Sequence, residues 1–411
     1  MHHRHEGGRH GPRSNGGRVA VGRLRRRYGS SMRIAHIVPR GERATSGVFT
    51  ALVHLAAALS RAGHRVSVWS LAPWTDPAYE DAISLLDESG VTCATLRTSD
   101  LRGARLIARR AAAETDLVHL HGAFNRTATV VASRLTVPYV FSPHGGYDPV
   151  SLRRSAFRKR AYLTLFELRM LRRAAMVSVL TPDEERHVRA LGLGSTPTIV
   201  IPNGVDPPVR ADPTVFRRSL GVGPHEPLAV YVGRLDIERK GLDRLLAGVA
   251  ASPAWRAALV GPEERGDLPR LHGLIRDLGL SERVRLCGPL SGTPVAEALE
   301  AADLFLLLSR WEGMPLALLE ALSHGTPALV SEEVDRVVPV SAHGAGWSAS
   351  PATVGPTLDA IAGDADERAS RGDAALELSR SYDWDEVART YDQGYAMALG
   401  GSARRRSRPR A

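Results

Sequence analysis

From Arg33 onward the chain alternates short apolar runs with longer stretches of helical periodicity. Arg33–Val38 reads as a buried strand. Across Val48–Ala62 the residues Val48, Leu52, Leu55, Ala56 and Leu59 recur at helical spacing, and Gly63 follows as a stop. Arg65–Leu71 returns to a strand pattern. Further strands are predicted at Val91–Leu96, Leu117–His121, Tyr139–Ser142, Met176–Leu180 and Ile199–Ile201, with helical patterns filling most of the gaps. That alternation is the signature of βαβ units on a parallel sheet. The turn cluster Pro202-Asn203-Gly204-Val205-Asp206-Pro207-Pro208 breaks the rhythm and reads as a linker. Strands then resume at Leu228–Val232, Ala257–Val260, Val284–Leu286, Leu304–Leu308 and Ala328–Ser331. The simplest architecture is α/β, with one Rossmann-like domain over 32–205 and another over 206–382. A last helix, Trp384–Leu399 within 383–400, is a candidate to fold back onto the first domain.

Length and composition agree with two cores. A chain of 411 residues exceeds one ordinary core, and 43% hydrophobic with 24% charged residues is a globular profile. No apolar run reaches the length of a membrane span. Cys93 and Cys287 have no spacing that suggests a metal or a disulfide framework, so a reducing, cytoplasmic setting is expected. The net charge of +10 sits in the ends. Residues 1–31 hold eight arginines against Glu6, and Ser402–Ala411 hold five with no acid, which leaves the body slightly negative. A nucleic-acid partner is therefore not expected. Residues 1–31 are rich in Gly, Arg and His, lack the apolar stretch of a secretory signal, and read as a disordered extension. Met32 is a candidate start, and 401–411 reads as a basic tail.

Candidate chemistry concentrates in two segments. Val232-Gly233-Arg234-Leu235-Asp236-Ile237-Glu238-Arg239-Lys240-Gly241 leaves a strand, turns through Gly233 and offers Arg234 and Lys240 before a helix. Cations at the carboxyl end of a parallel strand suit a diphosphate. Lysine occurs only at Lys159 and Lys240, so its retention at Lys240 is notable, and a compact ammonium suits a phosphate oxygen. The second segment, Ser309–Ala321, follows an apolar strand. Pro315 fits the first helical position, which places the helix amino-terminus at Gly313, Met314, Pro315 and Leu316 and makes it a candidate anion site. Glu312 and Glu320 flank that end, and each could accept from vicinal hydroxyls.

Together these motifs resemble the signature of the family 4 (group 1) retaining glycosyltransferases of the GT-B fold. The likeness runs from about Met32 to Leu399 and includes Ile201–Asp206 at the hinge. The resemblance implies an acceptor-side domain followed by a nucleotide-sugar domain, facing across a cleft. It implies Arg234 and Lys240 on the donor diphosphate, Glu320 on the ribose and Glu312 on the donor sugar. Retention of configuration, independence from metal and the absence of any cofactor beyond a UDP- or GDP-linked donor follow as expectations.

The first domain offers histidines. His121 ends a strand, where an imidazole can bind a sugar hydroxyl or shuttle a proton, and the family carries a histidine there. His144 and Gly145, in Pro143-His144-Gly145-Gly146, repeat that placement on the next strand and, with Asn203, are candidates for acceptor or sugar contacts. His119 is expected to point away from the cleft. Ser46-Gly47 opens the first helix, and Gly47 would let backbone approach the donor, although many relatives carry a Gly-Gly pair there. Leu152–Arg173 carries eight basic residues against Glu167, interleaved with Phe157, Tyr162 and Phe166. A basic amphipathic helix there would suit an anionic membrane and a lipid-linked acceptor, or form a solvated face.

Asp364-Ala365-Asp366 has the form of a metal-binding pair but follows no apolar strand. The first βα turn lacks G-x-G-x-x-G, which argues against a dinucleotide oxidoreductase. The expected activity is hexosyl transfer to a glycan, glycolipid or small-molecule acceptor in surface polysaccharide synthesis. The alternatives are a GT-B nucleotide-sugar hydrolase or epimerase, and a catalytically silent carbohydrate- or membrane-binding partner.

Overall fold

A computed structural model describes residues 31–406 apart from 39–41, 45, 76, 97–99, 154–155 and 265. The extension expected over 1–31 lies outside the described residues but for Ser31, as do 407–411 of the tail.

Two parallel sheets carry the fold. The first has the order β3-β2-β1-β4-β5-β6-β7. Its strands are β1 Arg33–Val38, β2 Arg65–Ser70, β3 Thr92–Thr95, β4 Leu117–His121, β5 Tyr139–Ser142, β6 Met176–Val179 and β7 Thr198–Val200. The second has the order β10-β9-β8-β11-β12-β13. It is built from β8 Leu228–Val232, β9 Arg256–Val260, β10 Val284–Gly288, β11 Leu304–Leu307, β12 Ala328–Ser331 and β13 Gly346–Ala349. Helices cover both faces of such sheets, so the strands read as continuous apolar runs, and every residue of β4, β5, β11 and β12 is buried.

In both sheets the winding reverses beside the first strand, between β1 and β4 and between β8 and β11. Ligands bind at the carboxyl ends of strands at such switch points. His36 lies on β1 and His121 ends β4, while Arg234 follows β8 and Glu312 follows β11, so topology alone delivers these residues to the two switch points.

Helix α1 (Gly47–Arg61) begins at Ser46, whose hydroxyl accepts from Val48 N at 3.2 Å. The linker returns to the end of the chain: Val205 N donates to Tyr382 O at 2.6 Å, and a β-carbon on Gly204 would stand 2.5 Å from the Trp384 indole. The last helix, Trp384–Arg406, runs beyond Leu399. It crosses to the first domain and buries Trp384, Val387, Ala388, Tyr391, Tyr395, Ala398 and Leu399 in that domain's core.

The basic segment 152–173 is helical over Pro149–Arg153 and again from Ala156 to Arg173, where a π-turn at Leu163–Glu167 interrupts the α-helical ladder. That turn carries Glu167 inward, where the carboxylate accepts from Phe124 N, and burial pushes its pKa up to about 7. Asp364 caps the helix Ala365–Arg380 by accepting from Glu367 N at 2.8 Å.

Candidate active site

The second domain supplies a cationic wall. After β8 the chain passes through Gly233 and Arg234 into a one-turn helix, α2 (Ile237–Lys240), capped by Asp236. Gly241 ends it with φ +62°, and a β-carbon there would fall 2.0 Å from Leu308 O. Glycine thus lets the turn lie against the end of β11. The approach brings Lys240 Nζ to Glu312 Oε1 at 2.6 Å, where Ser309 Oγ also donates at 2.7 Å. Arg239 Nη2 stands 3.8 Å from Glu312 Oε2, and its guanidinium lies over Trp311 at 5.6 Å from the ring centre. The Glu312 side chain is 5% exposed. Burial pushes its pKa up, but Lys240, Arg239 and the hydrogen bonds outweigh this and hold it below the ordinary carboxyl value. For Lys240 burial prevails and lowers the pKa, against the pull of Glu312.

Arg234 Nη1 lies 3.3 Å from Glu264 Oε2, and its carbonyl accepts from Tyr231 OH at 2.7 Å. Arg43 of the first domain approaches the same carboxylate at 3.4 Å. Glu264 therefore stands between one arginine from each domain.

Helix α3 (Leu316–Ser323) starts one residue later than its sequence suggests. Pro315 occupies the cap with extended angles, φ −79° and ψ 107°, rather than the first helical position. No side chain caps this end, which leaves first-turn amides for a ligand. Glu320, half-buried further along α3, has its pKa raised by burial, and its electrostatic neighbours are His54 and Asp206 rather than the Lys240 pair.

The first domain supplies imidazoles. His121 is 1% exposed, and both its ring nitrogens meet other histidines: Nε2 with His36 Nδ1 at 3.0 Å, Nδ1 with His144 Nε2 at 3.0 Å. His119 does not point away from this cluster. Residues i and i+2 of a strand share a face, and its ring centre lies 4.0 Å from that of His121. Its nitrogens meet Tyr395 OH at 2.8 Å and Ser142 Oγ at 2.7 Å. The nitrogens of His36, His119 and His121 fall within 4.8 Å of one another, close enough to consider a metal. Yet His36 and His121 stack at 19°, and both His119 nitrogens are engaged, so in-plane lone pairs do not converge on one centre.

The two walls meet. A β-carbon on Gly145, φ +75°, would stand 2.8 Å from Gly313 Cα. Asn203 N donates to Met314 Sδ at 3.1 Å. The loop bearing His144 and Gly145 is held by Glu184, which accepts from Gly145 N at 2.5 Å and from Leu180 N at 2.7 Å. Gly47 is exposed, and a β-carbon there meets nothing within 4 Å, so the fold itself does not demand glycine at this position.

Residues 45–208 match the profile of Glycosyltransferase Family 4, and residues 213–361 match that of Glycosyl transferases group 1. The chain belongs to the family 4, group 1 glycosyltransferases. It is 28% identical over 297 residues to the GDP-mannose:cellobiosyl-diphosphopolyprenol alpha-mannosyltransferase of Xanthomonas oryzae, covering 69% of this chain and 75% of that protein. It is 28% identical over 301 residues to the D-inositol 3-phosphate glycosyltransferase of Mycobacterium bovis, covering 69% of this chain and 62% of that one. Among solved structures, Anabaena HepE in complex with UDP and glucose superposes with a TM-score of 0.72 at 20% identity, over 89% of this chain and 99% of that one. That likeness establishes the GT-B fold.

Within this glycosyltransferase the structure brings Lys240 and Glu312 together and sets Gly313 against Gly145, while Arg234 is paired with Glu264. It adds Arg239, Ser309 and Glu184, which sequence reasoning passed over. Arg239 directly precedes Lys240 in the same turn, so its position was the available signal. Glu184 follows Thr181 at capping-box spacing, which suggests only a helix start.

Proposed function

We propose that this glycosyltransferase moves a hexose from a UDP- or GDP-linked donor to a glycan on a lipid carrier, with retention of configuration and without a metal. The single observation that carries the reading is the Lys240–Glu312 pair, set beside Arg239 at the mouth of the uncapped helix α3. As the anomeric carbon–oxygen bond breaks, negative charge builds on the leaving diphosphate. Lys240, Arg239, Arg234 and the α3 amides are fixed donors for that charge, the role that a divalent ion plays elsewhere. Glu312, ion-paired and ionised, is suited to accept from donor-sugar hydroxyls. Paired in this way it is a poor nucleophile, which favours attack by the acceptor hydroxyl on the face that the diphosphate leaves. Glu320 is reserved for the ribose, and closure about Asn203–Pro208 would exclude water.

A lipid-linked acceptor is supported by the surface. Phe157, Leu165 and Phe166 are 87%, 67% and 54% exposed, beside Arg153, Arg158, Arg160 and Arg169. Apolar side chains among cations suit an anionic bilayer surface. Among the described residues no helix is long and apolar enough to cross a membrane, so attachment would be peripheral. The Xanthomonas relative is itself named for a polyprenol-linked acceptor.

The test is to incubate the protein with UDP- and GDP-hexoses and a polyprenyl-diphosphate glycan, with and without EDTA, and to read anomeric configuration by NMR. Transfer with the donor's configuration kept and EDTA without effect is expected. Free sugar as the only product, an inverted product or loss of activity in EDTA would overturn it.

A further inference from the structure

His36 lies on β1 at 0% exposure, and its Nε2 has no hydrogen-bond partner. Its other nitrogen, Nδ1, meets His121 Nε2 at 3.0 Å, and His121 Nδ1 in turn meets His144 Nε2 at 3.0 Å. Three imidazoles therefore form one chain from the interior of the first sheet to the domain seam, where Gly145 abuts Gly313.

A neutral imidazole carries one N–H, so the chain has only two consistent proton arrangements. In one, every N–H points inward, and His36 Nε2–H is left as a donor with no acceptor in the core. In the other, every N–H points outward: His36 Nδ1–H to His121 Nε2, His121 Nδ1–H to His144 Nε2. The unmet inner atom is then a lone pair. Orphaned buried N–H groups are the rarer defect, so the outward arrangement is favoured. It leaves His144 with a proton on Nδ1, the one ring nitrogen of the chain, besides the orphan, that has no partner among the described residues. His144 is half-buried and sits in the left-handed region at φ +52°, a conformation that its surroundings must enforce.

We propose that His36 and His121 are positioning residues that fix the tautomer of His144, so that the glycosyltransferase presents His144 Nδ1–H to an oxygen of the donor sugar. The assignment rests on the donor-binding reading above and changes one part of it. His121, with both nitrogens occupied, acts one hydrogen bond behind the substrate, and His144 makes the contact. His119 on β4 lies against the chain and is itself packed by Ser142 on β5 and by Tyr391 and Tyr395 on the last helix, with Ser178 on β6 behind them. Glu184 reaches the same loop through Gly145 N. Burial keeps the imidazoles neutral, lowering His36 to about 3 and His144 to about 4.

Two measurements decide it. In the full-length protein, two-bond ¹H–¹⁵N spectra of the histidines should show His144 protonated at Nδ1 and bare at Nε2 between pH 6 and 8. His144 as the Nε2–H tautomer would overturn the proposal. His36→Leu, which removes the inner donor, should lower kcat about tenfold or more with the donor KM nearly unchanged and abolish that tautomer preference. His36→Asn, whose amide can still donate to His121, should restore kcat to within about threefold of the parent. Equal rates in His36→Leu and the parent would also defeat it. Should His36→Leu fail to fold, the spectra of the parent still give the answer. Zn²⁺ added alone provides a further check: stoichiometric shifts of His36, His119 and His121 together would mark a metal site and overturn the relay. The tautomer measurement needs no substrate, so a parent protein that transferred no sugar would defeat the donor reading while the spectra still judged the relay.

Discussion

Gly145 and Gly313 touch across the domain seam, the first from the histidine loop and the second from the turn before α3. A β-carbon on Gly145 would lie 2.8 Å from Gly313 Cα, and one on Gly313 would lie 3.2 Å from His144 O, a contact that forces the neighbour to give way. Gly145→Ala should therefore hold the domains apart. Placing alanine at φ +75° costs about 1–2 kcal/mol, a modest loss of stability. The loss of kcat/KM should be larger, about a hundredfold, since misplacement of about 1 Å costs that much. Steady-state kinetics beside a denaturant titration would separate the two, and unchanged kcat/KM would refute the closure contact.

Lys240 and Glu312 are buried together, so removing one leaves the other unpaired. Lys240→Ala should lower stability by about 3–5 kcal/mol, the usual cost of breaking a buried pair. Lys240→Ala with Glu312→Gln should recover most of that stability while activity stays at least about a hundredfold down. A double variant that regained activity would show the pair to be structural only.

Acid should loosen the first domain, with a sign that can be worked out. His36 and His144 titrate near 3 and 4 when folded, and burial also lowers His119 and His121 well below their ordinary value. Unfolded, each takes up a proton near pH 6.5, so their stabilising neutrality is intact above 6.5 and is lost as pH falls below it. Glu167 and Glu184, raised to about 7 by burial, act the other way: their contribution is fully present below about 4.5 and is lost as pH rises through 7. Four imidazoles outnumber two carboxyls, and each unbalanced proton is worth about 1.4 kcal/mol per pH unit. The urea midpoint should fall between pH 7 and 5, and Glu184→Gln should steepen that fall. A midpoint flat over this range would contradict the neutral histidine cluster.

Phe157 and Leu165 are exposed on the segment after β5, a stretch that also carries the exposed Arg153, Arg158, Arg160 and Arg169. Phe157→Ser with Leu165→Ser should cut binding to anionic phosphatidylglycerol vesicles about tenfold or more, given about 1.5–3 kcal/mol for burying each side chain. Binding by the parent should weaken as salt rises from 0.05 to 0.5 M. Retention on neutral vesicles with no salt dependence would point away from a charged bilayer.

The apolar strands were legible because parallel strands buried on both faces cannot hide among polar residues. β13 was not, since Gly346-Trp347-Ser348-Ala349 has one large apolar side chain and begins with a glycine whose missing β-carbon makes room for Ala328 O. The cations after β8 could be read from their spacing, whereas the Lys240–Glu312 bond joins residues 72 positions apart and depends on the Gly241 turn. His119 shares a strand face with His121, as a two-residue period requires, yet both its nitrogens are held in the core by Tyr395 and Ser142. The long basic run concealed a π-turn, and only three-dimensional packing reveals that its lone acid faces inward.

The return of the last helix has a consequence for biosynthesis. Trp384, Tyr391 and Tyr395 fill the first domain's core, and Tyr395 bonds His119. A ribosome must release nearly the whole chain before the half translated first can acquire its complete interior. The amino-terminal half emerging alone exposes the β1–α1 surface that this helix covers. Trimming the protein at the end of the second sheet would therefore unsettle the domain farthest away along the chain.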